Sequence, residues 1–361
     1  MVRCLNCGLP YPDSGVVYRC QKCGGVYDIP VLPALDISSI EVRLPGIWKY
    51  QHTFDLPVSK QVVSLGEGNT PLVWAEAFGK EVGFKCEYLN PTGSFKDRGS
   101  TVLTSFLHSR GAREAIEDSS GNAGASFAAY ASRAGLCAKI YIPDSASGPK
   151  RKQIEIYGAE VVRILGPRSN ASEAVQRAAD KGAIYASHAY MPFNLPGYAT
   201  LAYELVEQLG EAPGTVVLPV GQGGLFLGLA RGFNNLISSG IIQKMPKLVG
   251  VQALACAPLW ALFLYGNAGF RMSGEAPTMA EGIKVRFPVR GDAVMRVCDV
   301  YGAELLVVDE EMILPGRSQL AYRGFYVEPT SAVVWDALSQ GMSRWMDPIV
   351  AVLTGNGLKT S

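Results

Sequence analysis

From residue 114 onward the chain alternates between two hydrophobic patterns. Short apolar runs fall at 114–118, 138–142, 160–164, 184–187, 215–219, 248–252, 303–308 and 349–353. Between most of them, apolar residues recur at helical spacing: 122–134, 148–157, 171–181, 197–209, 225–236, 310–323 and 330–340. Short strands alternating with helices predict an α/β protein, its parallel sheets covered by helices on both faces. Ligands of such folds sit beyond the C-terminal ends of strands, so polar, glycine-rich turns after strands are the places to search.

One stretch organises the rest: Asn90-Pro91-Thr92-Gly93-Ser94-Phe95-Lys96-Asp97-Arg98. A strand-like run at 85–89 precedes it and a helical pattern at 101–109 follows. Pro91 and Gly93 interrupt regular structure. Ser94 is the expected N-cap, with Asp97 in the capping-box place. Lys96 then stands in the first helical turn, where the positive dipole end favours a neutral amine. Such a lysine is a candidate nucleophile for a carbonyl, and the natural carbonyl is the aldehyde of pyridoxal phosphate. The competing reading is a solvated lysine beside Asp97 and Arg98.

Three further turns bear on that choice. Ser119-Ser120-Gly121-Asn122-Ala123 lies between strand and helix, where backbone N–H groups can hold a carboxylate and Asn122 offers an amide. Gly221-Gln222-Gly223-Gly224-Leu225 also leads from strand to helix, and its close glycines let the backbone wrap a phosphate. It lacks the dinucleotide fingerprint and the Walker lysine. Thr354 would stand at the end of the last strand, its hydroxyl available to a ring nitrogen. The turn-rich stretch 62–72, which includes Thr70, has polar residues able to approach a ligand.

Composition narrows the classes. The chain has 361 residues, 48% hydrophobic and 18% charged, with a net charge of +1. That near-neutral balance argues against an extended nucleic-acid surface. No apolar run approaches the roughly 18 residues of a membrane span. Met1-Val2-Arg3-Cys4 shows no signal-peptide core, so a cytoplasmic protein is expected. Of the eight cysteines, Cys86, Cys137, Cys256 and Cys298 sit singly in apolar surroundings and are expected to be buried thiols. Cys4, Cys7, Cys20 and Cys23 form two Cys-x-x-Cys knuckles, a donor set for a structural, tetrahedral Zn²⁺. The gap between the knuckles has room for a hairpin at 16–19. Two disulfides or relict thiols without a metal are the alternatives, the disulfides being disfavoured in a reducing compartment. Pro30, Pro33, Pro45 and Pro57 make 24–60 linker-like, with Trp48 and Tyr50 as docking side chains.

With these residues in view, the chain resembles the threonine synthase family among the fold-type II (tryptophan synthase β-like) pyridoxal-phosphate enzymes. The landmarks are Leu65-Gly66-Glu67-Gly68-Asn69-Thr70-Pro71-Leu72, the stretch from Asn90 to Arg98, Ser119-Ser120-Gly121-Asn122, the 221–224 loop, Glu328-Pro329-Thr330-Ser331-Ala332 and Thr354-Gly355-Asn356-Gly357-Leu358-Lys359. The front cysteines are similar to a ribbon-bearing subset of threonine synthases and to cysteate synthases. The resemblance implies a zinc-ribbon-like segment at 1–28, a large cofactor-binding domain from 29–97 and 191–361, and a small substrate-side domain at 98–190. It implies that Lys96 carries the cofactor as a Schiff base beside Phe95. Asn122 then bonds the ring phenolate, and Gly221, Gln222, Gly223, Gly224 and Leu225 hold the phosphate. Thr354 bonds the pyridine nitrogen, while Thr70, Ser119, Ser120, Gly121 and Ala123 receive the substrate. The implied reaction converts O-phospho-L-homoserine and water into L-threonine and phosphate, in a homodimer acting on a small amino acid.

The chain also departs from that pattern. Where threonine synthases carry Glu-Gly-x-Lys-Thr it has Pro196-Gly197-Tyr198-Ala199-Thr200, and Ala123 replaces a common threonine. Ala280-Glu281-Gly282-Ile283 looks more like dehydratases and β-replacement enzymes. A cysteate synthase, an O-phosphoserine sulfhydrylase and a serine/threonine dehydratase are therefore alternatives. A non-catalytic protein using the ribbon to bind a partner is a more distant one. His188, Arg151 and Lys152 are basic candidates for an anionic side group, against surface or core roles.

Overall fold

A computed structural model describes residues 2–56, 62–146 and 148–360. Pro57, counted with the linker prolines, lies outside them. The elements in chain order begin with β1 (Arg3–Cys4), β2 (Tyr27–Asp28), β3 (Leu72–Ala77), β4 (Lys80–Lys85), α1 (Lys96–Ser109), β5 (Glu114–Glu117) and α2 (Asn122–Arg133). Next come β6 (Cys137–Pro143), α3 (Pro149–Ile156), β7 (Glu160–Ile164), α4 (Arg168–Asp180), α5 (Asn194–Leu209), β8 (Thr215–Pro219) and α6 (Gly224–Ser238). The chain ends with β9 (Lys247–Ala253), α7 (Pro258–Met272), α8 (Gly291–Tyr301), β10 (Glu304–Val308), α9 (Glu310–Tyr322), α10 (Pro329–Gly341) and β11 (Ile349–Val352). Two compact units divide the chain: unit 1 holds 1–68, 90–198 and 359–361, and unit 2 holds 69–89 and 199–358. Of the large domain that the resemblance implies, the described residues 29–56, 62–68, 90–97, 191–198 and 359–360 thus cluster with unit 1.

Unit 2 is built on a six-stranded sheet in the order β10-β9-β8-β11-β4-β3. Every pairing is parallel except β3 with β4. All five residues of β8 are buried, which is why a strand covered on both faces reads as a continuous apolar run. Phe84, Val217, Val249, Val251, Val334, Leu338, Ile349 and Ala351 belong to one core cluster around this sheet. Because β4, β8 and β11 are parallel neighbours, the turns after them leave from the same end of the sheet. The antiparallel register Leu72↔Lys85 brings the turn before β3 to that end as well.

Unit 1 contains a parallel three-stranded sheet, β5-β6-β7. The segment 184–187 pairs with β5 through a single bridge, Ile116↔Tyr185. The linker-like region contains two 3₁₀ segments, Ile37–Ser39 and Gly46–Thr53. Trp48 and Tyr50 are fully buried, and Trp48 Nε1 donates to Thr101 Oγ1 at 3.0 Å, so the docking expectation holds.

Several expectations are corrected. The strand expected at 85–89 lies earlier, at β4, and a 3₁₀ turn, Glu87–Leu89, takes its place. No hairpin forms at 16–19; the ribbon instead pairs β1 with β2. Cys137 is exposed at the start of β6, whereas Cys86, Cys256 and Cys298 are buried. Helix α7 escaped the sequence reading because it is apolar on nearly every face and kinks at Gly266, whose φ is +61°. Among the described residues no helix is long and apolar enough to cross a membrane.

Candidate active site

In unit 1 the chain turns sharply before α1. Gly93 has φ +85°, a conformation that costs other residues strain. Lys96 is the first residue of α1, and its Nζ lies 4.7 Å from the centre of the Phe95 ring. The expected capping box is not formed. Phe95 occupies the N-cap position without a side-chain cap, and Ser94 Oγ is buried with no hydrogen-bond partner. Asp97 reaches backward instead, accepting from Thr92 N at 2.7 Å and Thr92 Oγ1 at 2.5 Å. Ser126 Oγ, on α2, donates to Asp97 at 2.6 Å and lies 2.8 Å from Ser100 Oγ on α1. Lys359 Nζ donates to Thr92 O at 2.8 Å. The turn carrying Lys96 is thus fixed from several directions by buried polar groups. Packing adds to this: Tyr198 lies 5.3 Å from the Phe95 ring, and a Cβ on Gly99 would come within 2.6 Å of the Tyr198 ring.

The Ser119-Ser120-Gly121-Asn122-Ala123 turn follows β5 and opens α2, whose N-terminus has no side-chain cap. A Cβ on Gly124 would lie 1.9 Å from Ser119 O, so only glycine allows this approach. Ser119 N donates to Glu117 Oε2 at 2.6 Å, and Gly121 N donates to Ser119 Oγ at 3.2 Å. Glu117 also takes the His188 imidazole, with Nδ1 at 2.5 Å. Burial pushes the Glu117 carboxyl up, but the His188 charge and hydrogen bonds and the Ser119 amide hold it below the usual range. His188 thereby takes a structural role in buttressing the turn, and Arg151 pairs with Glu155 on its own helix at 2.9 Å.

In unit 2 the Gly221-Gln222-Gly223-Gly224-Leu225 loop connects β8 to α6. Gly223 is the N-cap of α6 in the left-handed region, φ +85°, and no side chain caps the helix. A Cβ on Gly223 would sit 2.5 Å from Val294 Cγ2, and one on Gly221 would sit 3.1 Å from Ile283 Cα. Gln222 Oε1 accepts Val289 N at 3.0 Å, which orients its side chain away from a backbone role. The result is a set of helix N-terminal N–H groups without protein acceptors from side chains, which suits a phosphate dianion. A run of contacts links this loop to Thr354. Gly282 lies behind Gly221, and its N–H donates to Thr330 Oγ1 at 3.1 Å. The next residue, Ser331, has its Oγ 3.0 Å from Thr354 Oγ1 and accepts Gly355 N at 2.9 Å. Ser331 was a landmark of the sequence, but only the fold reveals what it touches.

Thr70 also belongs to unit 2. It is buried, and its hydroxyl donates to Glu87 Oε1 at 2.6 Å. The structure therefore groups Phe95, Lys96 and 119–123 within unit 1, and Thr70, 221–225 and Thr354 within unit 2.

The four ribbon cysteines converge. Their Sγ atoms lie within 4.8 Å of one another, with Cys4–Cys23 at 3.5 Å and Cys7–Cys20 at 3.6 Å. Four sulfurs at about 2.3 Å from a tetrahedral Zn²⁺ stand about 3.8 Å apart. No disulfide joins them, and the cluster is consistent with a structural zinc.

Uncapped, glycine-rich turns at the ends of parallel strands suit a phosphate-bearing cofactor, and the family model described as "Pyridoxal-phosphate dependent enzyme" matches residues 63–355, which makes the chain a pyridoxal-phosphate enzyme. Threonine synthase of Methanocaldococcus jannaschii is 32% identical over 99% of this chain and 92% of its own length. The Synechocystis threonine synthase is 37% identical over 84% of this chain and 81% of its own. Among solved structures, the T.th. threonine deaminase superposes with a TM-score of 0.65 at 25% identity, covering 81% of this chain and 94% of that one. The chain belongs to the threonine synthase family of pyridoxal-phosphate dependent lyases.

Proposed function

We propose that the chain is a threonine synthase, converting O-phospho-L-homoserine and water to L-threonine and phosphate. The observation that carries this reading is the identity of about a third, over nearly full length, to threonine synthases. The local features found in each unit support it. Lys96 would hold the cofactor through its ε-amino group. The N-terminus of α6, with Gly221, Gln222, Gly223, Gly224 and Leu225, would hold its phosphate. Asn122 would bond its phenolate oxygen and Thr354 its ring nitrogen. When bound, pyridoxal phosphate supplies the electron sink that makes the substrate's α-hydrogen acidic.

The chain's own groups have separate tasks. The turn at 119–123, which opens α2 without a side-chain cap on the helix, would receive the substrate carboxylate through backbone N–H groups other than those of Ser119 and Gly121, which Glu117 and Ser119 Oγ already hold. The Lys96 ε-amine, when not bonded to the cofactor, would be the base that takes the proton from the substrate's α-carbon. Thr354 presents a neutral hydroxyl, which does not hold a proton on the ring nitrogen as a carboxylate would. That favours elimination and addition over transamination. If Ser331 donates its proton to Thr354, the Thr354 hydroxyl proton is left for the ring nitrogen.

The test is a substrate panel on the purified, cofactor-loaded protein, following phosphate, ammonia and keto-acid release together. Phosphate release with threonine formation from O-phosphohomoserine is expected. Phosphate release from O-phosphoserine alone would reassign the chain to β-replacement. Ammonia and keto acid from serine or threonine alone would make it a dehydratase.

A further inference from the structure

A fully buried ion pair sits at the sheet end of unit 2 where the candidate turns emerge. Lys85 is the last residue of β4, and its side chain is wholly excluded from solvent, while Glu204 on α5 is 2% exposed. Lys85 Nζ makes three short contacts: Glu204 Oε2 at 3.0 Å, Gln208 Oε1 at 2.9 Å and the backbone Thr70 O at 2.6 Å. Glu204 uses its other oxygen to accept the backbone N–H of Asn69 at 2.8 Å. Gln208 Nε2 adds a second donor to Thr70 O at 2.9 Å. Asn69 itself is held at φ +50°, a region that non-glycine residues seldom occupy. The Thr70 hydroxyl is fixed on Glu87.

A pair of charges taken this far from water is seldom kept for stability, because desolvation offsets the attraction and apolar replacements are often no less stable. What this pair does that an apolar pair cannot is grip backbone atoms of one turn. We infer that Lys85 and Glu204 are positioning residues, which clamp the Asn69-Thr70 turn in its strained conformation so that it meets the amino-acid substrate already ordered. The inference rests on the proposed reading of Thr70 as a substrate contact. A turn ordered in advance spares the substrate the entropy of ordering it, so the clamp acts on substrate affinity.

The double variant Lys85→Met/Glu204→Leu tests this in the full-length, cofactor-loaded protein. It removes both charges together and leaves no buried ion unpaired. Three quantities are measured: melting temperature, amide hydrogen exchange at Asn69, and steady-state kinetics. The expected result is a melting temperature near wild type, Asn69 exchange at least about tenfold faster, and a KM raised about tenfold with kcat changed much less. Unchanged exchange at Asn69 overturns the clamp. Faster exchange with unchanged KM overturns its role in positioning. Gln208→Leu, at the solvent-facing edge of the network, is the second variant should the double one fail to fold. It predicts a smaller change in the same direction in both exchange and KM, and no change in either overturns the inference. The exchange readout needs no substrate. If the wild-type protein leaves O-phosphohomoserine untouched, the functional reading fails, and the clamp is then judged from exchange together with KM for the amino acid that is turned over.

Discussion

Asp97 folds back across the turn before α1 and accepts the backbone N–H of Thr92 at 2.7 Å. The lysine-bearing turn is therefore closed by the residue after the lysine rather than by a cap before it. The Asp97 carboxyl is wholly buried and is pushed up to about 6: burial raises it, against hydrogen bonds from Ser126 and Thr92 and the Lys359 charge. A raised carboxyl favours the fold most when protonated, so its contribution is fullest below the ordinary carboxylate range. It is lost as pH climbs through about 6. Asp97→Asn cannot titrate. The melting-temperature advantage of wild type over Asp97→Asn is expected to shrink between about pH 4 and about pH 6.5. An advantage that is flat, or that grows, across this window contradicts the burial assigned to Asp97.

The glycine loop makes a prediction with its own control. Gly223→Ala places a methyl group 2.5 Å from Val294 Cγ2 and keeps it at φ +85°. The first turn of α6 must shift, and with it the N–H groups proposed to hold the cofactor phosphate. Cofactor affinity, titrated by visible absorbance, is expected to fall at least about tenfold, equivalent to about 1.4 kcal/mol. Gly223→Ala/Val294→Ala relieves the clash but leaves about 1–2 kcal/mol of left-handed backbone strain. It should recover only part of the loss. Undiminished cofactor binding in the single variant would show that the phosphate lies elsewhere.

The ribbon is fastened to the body of unit 1. Tyr11, between the knuckles, packs edge-on against Phe106 of α1 at 5.9 Å and against Phe193 at 5.0 Å. Arg110, just past α1, donates to the backbone oxygens of Pro12 and Asp13. Metal loss should therefore be felt in the helix that carries Lys96, not in the ribbon alone. We expect one zinc per chain, released by a thiol-modifying reagent, and a lower melting temperature on stripping. Cys7→Ser should reproduce that loss. A protein that purifies without zinc and melts identically with and without chelator has no structural metal here.

The parts of this fold that could be read in the sequence are those where one local pattern decides the outcome. β8 and β7 emerge at the residues expected because short apolar runs flanked by turns have one good solution. Asn122 opens α2 as the turn chemistry suggests. α7 was hidden because a helix apolar on nearly all sides has no stripe to detect. The edge strand β3 was missed because half of its residues are exposed and one alone is buried, so no burial pattern marks it. Ser94 looked like a cap, but Asp97 had a better donor in Thr92 N, and that competition is settled by three-dimensional geometry. Lys85 and Glu204 are far apart in sequence, and nothing in either neighbourhood announces the other.

Ser331 offers the sharpest separation between holding the cofactor and holding the fold. Its hydroxyl lies 3.0 Å from Thr354 Oγ1, accepts Gly355 N at 2.9 Å and reaches Gly355 O at 3.3 Å. One proton cannot serve both Thr354 and Gly355 at full strength, and the shorter contact favours Thr354. Ser331→Ala leaves the Gly355 N–H buried without that acceptor and frees the Thr354 side chain to rotate. The stability cost should be about 1–3 kcal/mol, the usual penalty for an orphaned buried donor. If Thr354 faces the ring nitrogen, the same change should also weaken cofactor binding and shift the visible absorbance band, because the hydrogen bond at that nitrogen is no longer directed. Thr354→Ser keeps the hydroxyl and should restore neither defect when added to Ser331→Ala, yet should bind cofactor nearly as well as wild type on its own. Loss of stability in Ser331→Ala with an unmoved band and unchanged cofactor affinity would place Thr354 in the scaffold of unit 2 and leave the ring nitrogen to another group.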